Sequence, residues 1–537
     1  IDGVRPEGVR RVARGFGRHH QGKCGSIRGD KQHINFSFVR ICEPERPLMK
    51  ASSIRFMVSQ ILSAALLASV SMGGLADPEV KQARHIILLV GDGMNIEHEM
   101  AASRYLFGKD FALSFHGLPY HGNQATWDVN TYKHWSGGRY DPTAIVPTIG
   151  YDPAKGGKVP YPLGPELPGA KAYLTAAATD SASAATAWAT GYKTDHGNIA
   201  WLPGDPDQGS LKTIAERLRE KKDFAIGVVS TVAFSHATPA AFVSHNKDRD
   251  DYVAIAQEIL TRTKPEVVIG AGYQADSSCI NLPSYPYSLL YQAVCTDPGY
   301  HVVMRASGVD GGVAVLGAAQ QAVAQSKKLF GLFGGRGNNF ESLTPNDLPG
   351  TPLVTQVTRE NPTYAEATLA ALKVLGQDRD GFFLMAEQGD IDWANHGNDF
   401  RRMVGTIKDL HDGVQAVLDF VNQPDDGITW DNTLLIVTAD HSNSYLRNKV
   451  KRGAGDLPPQ DCNGANGYPG GEISYGSDNH TNELTRVYAL GAGAKLFKKY
   501  EGQWYPGTRI LDNTQLFHVM MEAAGEPQPS PLRIIRK

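Results

Sequence analysis

Short, nearly continuous apolar runs alternate with amphipathic stretches along most of the 537-residue chain. The run HIILLV at 85–90 predicts a buried strand, as do FAIGVVS at 224–230, EVVIGAG at 266–272, GFFLMAE at 381–387, TLLIVT at 433–438 and RVYAL at 486–490. Between them, SLKTIAERLREKK at 210–222 sets Leu211, Ile214, Ala215 and Leu218 on one helical face, and YAEATLAALKVLG at 364–376 reads as a second helix. Met403, Ile407, Leu410, Val414 and Val417 mark a third. Strands without polar alternation, separated by amphipathic helices, predict an α/β fold of three layers: a mostly parallel central sheet with helices on both faces. Gly- and Pro-rich stretches at 140–169 and 453–476 read as loop insertions, and no internal repeat is visible.

The N-terminal part departs from this pattern. From Met49, with Lys50 and Arg55, the chain runs through an apolar stretch at 61–70 to the small residues Gly74–Ala76, with no acidic residue before Asp77. That order of basic, apolar and small-residue regions predicts a secretory signal peptide, Met49–Ala76, and a periplasmic or secreted protein without a membrane span after its removal. Residues 1–48 lack periodicity and are expected to be a disordered upstream extension, which leaves 77–537 as a single domain. From Asp77 onward there are 41 Lys/Arg against 51 Asp/Glu. So acidic a surface argues against nucleic-acid binding and means that an anionic ligand needs local cations. Three cysteines follow Asp77: a Cys279–Cys295 disulfide would close a short loop, and pairing of either with Cys462 stays open.

In open parallel sheets, ligands bind beyond the carboxyl ends of the strands, and the polar clusters of this chain fall there. LLVGDGMN puts Asp92 after one strand; FFLMAEQGDIDWANHGND puts Glu387, Asp392 and His396 after another; LLIVTADHSNS puts Asp440 and His441 after a third. His480 sits in SDNHTNE, just before the last predicted strand. Asp392 and His396, four apart, share one helical face. Mixed carboxylate and imidazole donors suit zinc, and carboxylate and hydroxyl oxygens suit magnesium. In TDSASAATAWATG at 179–191, Ser181 opens a helix of small residues, where it could serve as a cap or as a nucleophile beside a bound anion.

The segments LLVGDGM, TDSASAATAWATG, SHATPAAF, AEQGDIDWANHGND, VTADHSNS and NHTNE resemble, in this order, the alkaline phosphatases, over roughly residues 86–493. The resemblance implies hydrolysis of phosphate monoesters through a phosphoserine on Ser181, with two zinc ions and one magnesium ion in a homodimer. It implies one zinc on Asp392, His396 and His480, a second on Asp92, Asp440 and His441, and magnesium on Asp92, Thr238 and Glu387. Arg249 would clamp phosphate and Asp180 would orient it. His236 and Trp393 stand where the best-known bacterial pattern has aspartate and lysine, and are expected to tune the third metal site and phosphate release. A phosphodiesterase or phosphotransferase of the same superfamily is the alternative, with a noncatalytic zinc- or phosphate-binding protein behind it. The sequence ASAA after Ser181 lacks the C/S-x-P-x-R context of a sulfatase.

Overall fold

A computed structural model describes residues 81–272, 288–335, 338–424, 427–461 and 467–535. The upstream extension and signal peptide expected at 1–76 lie outside the described residues, as do Cys279 and Cys462; Cys295 is disulfide-bonded.

Ten strands form the central sheet: β1 His85–Gly91, β2 Tyr120–Ala125, β3 Ala225–Ala233, β4 Val267–Ala271, β5 Tyr300–Met304, β6 Lys328–Phe333, β7 Phe382–Gln388, β8 Thr433–Thr438, β9 Thr485–Gly491 and β10 Ile510–Asp512. Their order is β10-β2-β9-β8-β1-β7-β3-β4-β6-β5. Only β9 runs antiparallel to its neighbours β8 and β2; every other pair in the sheet is parallel. In β1, Ile86 through Val90 are all wholly inaccessible. Burial on both faces explains why these strands read as unbroken apolar runs: a polar side chain on either face would need a partner in the core.

Helices cover the two faces. One core layer includes α2 Ser181–Thr190, α3 Ala237–Val243 and α8 Thr514–Ala523; the other includes α1 Ile96–Phe107, α4 Gly311–Ala324, α5 Tyr364–Leu375, α6 Asp390–His396 and α7 Phe400–Val421. Local chemistry sets their ends. Thr363 and Glu366 form a capping box at the start of α5. Thr213 and Glu216 form another, so the helix there is Ile214–Lys222 and excludes Leu211. Leu211 is buried instead in the preceding segment, its N–H donating to the Ala200 carbonyl at 2.7 Å. Within the Gly- and Pro-rich stretch 140–169, Ile145 and Tyr151 are fully buried in a third cluster with Trp127 and Tyr505. That insertion is packed, not merely superficial. Among the described residues, no helix is long and apolar enough to cross a membrane.

Candidate active site

Strands β8, β1, β7 and β3 are consecutive and parallel at the centre of the sheet, so their carboxyl ends open onto one edge. Asp92 follows β1, Glu387 lies near the end of β7, Asp440 and His441 follow β8, and Thr238 lies in the first turn of α3, after β3. Asp392 and His396 come from α6, one loop beyond β7. His480 arrives on a two-residue ladder in which His480–Thr481 pairs with Ser442–Asn443, so it lands beside His441 with ring centroids 3.6 Å apart.

Around Asp392, His396 Nε2 lies 3.2 Å from Oδ2 and His480 Nε2 lies 3.5 Å from Oδ1, and the two Nε2 atoms are 3.1 Å apart. The Nδ1 atoms of these histidines donate to backbone carbonyls, His396 to Asp478 at 2.7 Å and His480 to Thr179 at 2.9 Å. With each Nδ1 committed to a backbone carbonyl, both Nε2 atoms face the one Asp392 carboxylate, an arrangement of donors that a metal cation fits. Burial opposes ionisation of Asp392, but His480 and His396 hold its carboxyl well below the usual range.

Next to it, His441 Nε2 lies 3.3 Å from Asp440 Oδ2 and 3.4 Å from Asp92 Oδ1. Asp440 Oδ1 is fixed by the Gly93 and His441 backbone N–H groups. Both Asp92 oxygens, Asp440 Oδ2, Glu387 Oε1 and Thr238 Oγ1 are buried without a hydrogen bond of good geometry. Burial, then repulsion from Asp440, Asp392 and Glu387, pushes Asp92 well above the ordinary carboxylate range. Glu387 is raised to about 7, chiefly by burial, and Asp440 to about 6 by burial and Asp392. So many unpaired buried oxygens are costly unless cations compensate them. The donor sets therefore fit metal ions: ligand atoms of Asp392, His441 and His480 lie within 4.8 Å of one another, as do those of Asp92, Asp440 and His441.

Ser181 is the first residue of α2, and its Oγ lies 3.2 Å from His441 Nε2. It does not cap the helix. Asp180 is the N-cap and accepts from the Ser183 N–H at 3.0 Å. All ten residues of α2 are buried, nine of them with small side chains and the tenth Trp188. Asp180 also accepts from Arg249 Nη1 at 2.7 Å and from the Gly197 N–H at 3.1 Å. Against the cost of burial, Arg249 and His196 hold the Asp180 carboxyl well below its ordinary range. The other face of Arg249 meets His236, Nη2 donating to Nε2 at 3.3 Å. Burial, then Arg249, lowers His236 to about 3, so this imidazole is neutral. Trp393 stands edge-on to it, with ring centroids 6.2 Å apart.

A cavity of about 520 Å³ collects Ser181, Arg249, His236, Trp393, His396 and His480 on its walls. Sequence reasoning missed two groups here. Ser230 Oγ donates to Glu387, and Asp128, wholly buried, pairs with His196. Neither residue lies in a pattern of its own; only the fold brings it in.

A parallel α/β sheet whose strand ends gather histidine and carboxylate clusters beside a serine and an arginine defines a metal-dependent phosphatase. The family described as Alkaline phosphatase matches residues 168–271 and 314–486. Alkaline phosphatase 3 of Bacillus subtilis is 29% identical over 401 residues, 71% of this chain and 69% of its own. Alkaline phosphatase of Escherichia coli is 26% identical over 516 residues, 90% and 95%. A histidine-to-glutamate variant of the alkaline phosphatase from the Antarctic bacterium TAB5, solved with magnesium in its M3 site, superposes with a TM-score of 0.55 at 19% identity, covering 84% of this chain and all of that one. The chain belongs to the alkaline phosphatase family, and its activity is the hydrolysis of phosphate monoesters.

Proposed function

We propose that Ser181 is the nucleophile and that hydrolysis passes through a phosphoserine. The observation that carries this is Ser181 Oγ at the N-terminus of α2, 3.2 Å from His441 Nε2, with the Arg249–Asp180 pair on the adjacent wall. The Oγ attacks phosphorus, the bond from phosphorus to the leaving oxygen breaks, and the alcohol departs with a proton. Water then attacks the phosphoserine, the Oγ–phosphorus bond breaks, and inorganic phosphate leaves. Asp392, His396 and His480 would hold one zinc, Asp92, Asp440 and His441 the other, and Asp92, Thr238 and Glu387 a magnesium, as their nitrogen and oxygen donors suit. When bound, these metals would lower the pKa of the serine hydroxyl and neutralise charge on the attacking and leaving oxygens. The α2 N-terminus adds backbone N–H groups facing the anion.

Arg249 grips phosphoryl oxygens with the donors that Asp180 leaves free, its plane set from both sides by Asp180 and His236. Replacing Arg249 with Ala should cut kcat/KM for monoesters about a hundredfold and for diesters distinctly less, because a monoester carries the extra negative charge. Equal losses on the two substrate classes, measured with chromogenic esters, would remove Arg249 from phosphoryl contact.

His236 and Trp393 we read as tuning the third metal site and phosphate release. The pair His236→Asp and Trp393→Lys adds a carboxylate and a cation. It should tighten inhibition by inorganic phosphate and increase magnesium activation. An unchanged inhibition constant together with unchanged magnesium dependence would reduce both residues to packing. Export through Met49–Ala76, a single catalytic domain at 77–537, the absence of nucleic-acid binding and a homodimer complete the proposal on sequence pattern and family resemblance.

A further inference from the structure

His196 belongs to none of the roles above, yet it lines the same cavity as Ser181 and Arg249. Its ring is held from behind. Nδ1 lies 3.3 Å from Asp128 Oδ2, whose side chain is fully buried, and 3.8 Å from Asp180 Oδ1. Its backbone N–H donates to Asn130 Oδ1 at 2.9 Å. The next residue, Gly197, donates its N–H to Asp180 and accepts from the Arg249 N–H at 2.9 Å. The turn that carries His196 is therefore tied to the phosphate clamp through both chains of contact. Among the described residues, Nε2 makes no hydrogen bond, and the side chain is 52% exposed against 20% for Arg249 and 2% for Asp180.

Asp128, Asp180 and His196 hold ligand atoms within 4.8 Å of one another and so could be read as a further metal cluster. Asp180, however, is committed to Arg249, Ser183 and Gly197, and Asp128 caps the helix Val129–Ser136 through the Thr131 N–H. Two carboxylates hydrogen-bonded to Arg249 and His196 account for the cluster without an ion. The groups facing the imidazole are Asp128 and Asp180, which favour its protonated form, and Arg249, which opposes it.

Depth separates Arg249 from His196. The transferred phosphoryl group belongs at the cavity floor, against Ser181, which is 2% exposed. A group at the rim meets what lies beyond the ester oxygen. We propose that His196, through Nε2, binds a second anionic group on the leaving part of the substrate, which selects monoesters whose alcohol carries a phosphate or carboxylate close to the ester. This rests on the phosphomonoesterase reading of the site.

The test compares 4-nitrophenyl phosphate with 3-phosphoglycerate on the metal-loaded enzyme. His196→Gln should lower kcat/KM for the carboxylate-bearing substrate about fivefold, mainly through KM, and for the nitrophenyl ester less than twofold. His196→Lys should restore the preference. In the unsubstituted enzyme the preference should fade as pH rises and the imidazolium loses its proton; in His196→Gln it should be flat with pH. An equal loss on both substrates, no loss on either, or no rescue by lysine would overturn the assignment. Failure of the unsubstituted enzyme to hydrolyse 4-nitrophenyl phosphate would instead overturn the phosphomonoesterase reading itself.

Discussion

Ser181→Ala lowers phosphomonoester turnover by on the order of a thousandfold or more and leaves the protein folded. The folding half of this expectation follows from where the serine sits. Asp180, not Ser181, caps α2, and the hydroxyl makes a single hydrogen bond, to His441, so its loss removes no packing and opens no cavity larger than one oxygen. Alanine also suits the first turn of a helix that already holds five alanines. The catalytic half follows from covalent chemistry, in which no neighbouring hydroxyl can substitute. Ser183 Oγ is turned to Asp180, and Thr179 Oγ1 to the Asp180 carbonyl and Ser183. Quenching the unsubstituted enzyme in mild acid with labelled substrate should yield phosphate on Ser181, and the alanine variant should yield none. Label on another residue, or a variant that turns over at near-normal rate, rejects the nucleophile.

Removing divalent cations with a chelator should abolish activity, by on the order of a thousandfold, and should also lower the melting temperature, with zinc and magnesium together restoring both. The stability effect has a defined pH dependence. Asp92 is raised well above its ordinary value, Glu387 to about 7 and Asp440 to about 6, burial being the largest cause in each. A carboxyl that binds its proton more tightly folded than unfolded makes the metal-free fold lose stability as pH climbs from the unfolded value near 4 to the folded value, a loss that Glu387 and Asp440 complete above about 7. Metal ions bound at these carboxylates would relieve this repulsion where protons no longer do. The melting-temperature gap between metal-loaded and chelated protein should therefore be wide at pH 8 and narrow at pH 5.5, as differential scanning calorimetry would read. A gap independent of pH would mean that these carboxylates do not face the metals.

Sheet and site were legible to different degrees, for physical reasons. Strands buried on both faces announce themselves as apolar runs, which is why β1, β3, β4, β7, β8 and β9 could be read directly. The strand β2, YHGNQA, could not: its Gln124 amide is satisfied by Thr438 Oγ1 and the Ala439 carbonyl, partners supplied by the fold and invisible locally. The Asp, Glu and His groups after β1, β7 and β8 were legible because each follows a legible strand; His480 precedes one, and Thr238 came only through the family resemblance. Arg249 was reached only through family resemblance, since nothing in its own surroundings distinguishes it from other surface arginines. Asp128 and His196, 68 positions apart, had no signal at all. The helix start alone left Ser181 open between cap and nucleophile, and the resemblance favoured the nucleophile; the adjacent Asp180, as N-cap, removes the cap reading.

The parallel pairing of β1 with both β7 and β8 has a consequence for biosynthesis. The contacts that assemble the site join residues far apart in the chain: Gly93 with Asp440, 347 positions away, Ser181 with His441, 260 away, and Thr179 with His480, 301 away. Loops of that size must close before any of these partners meet, and such topologies fold slowly. Synthesis runs from the N-terminus, so Asp92 and Ser181 emerge long before β8 exists to complete their surroundings. A polypeptide cut short just before His480 would carry Ser181, Arg249 and the other proposed site residues and still lack the imidazole that faces Asp392 and His396. Residues 480–537, about a ninth of the chain, are made after every other proposed site residue, so on the proposed reading the site is completed late in synthesis.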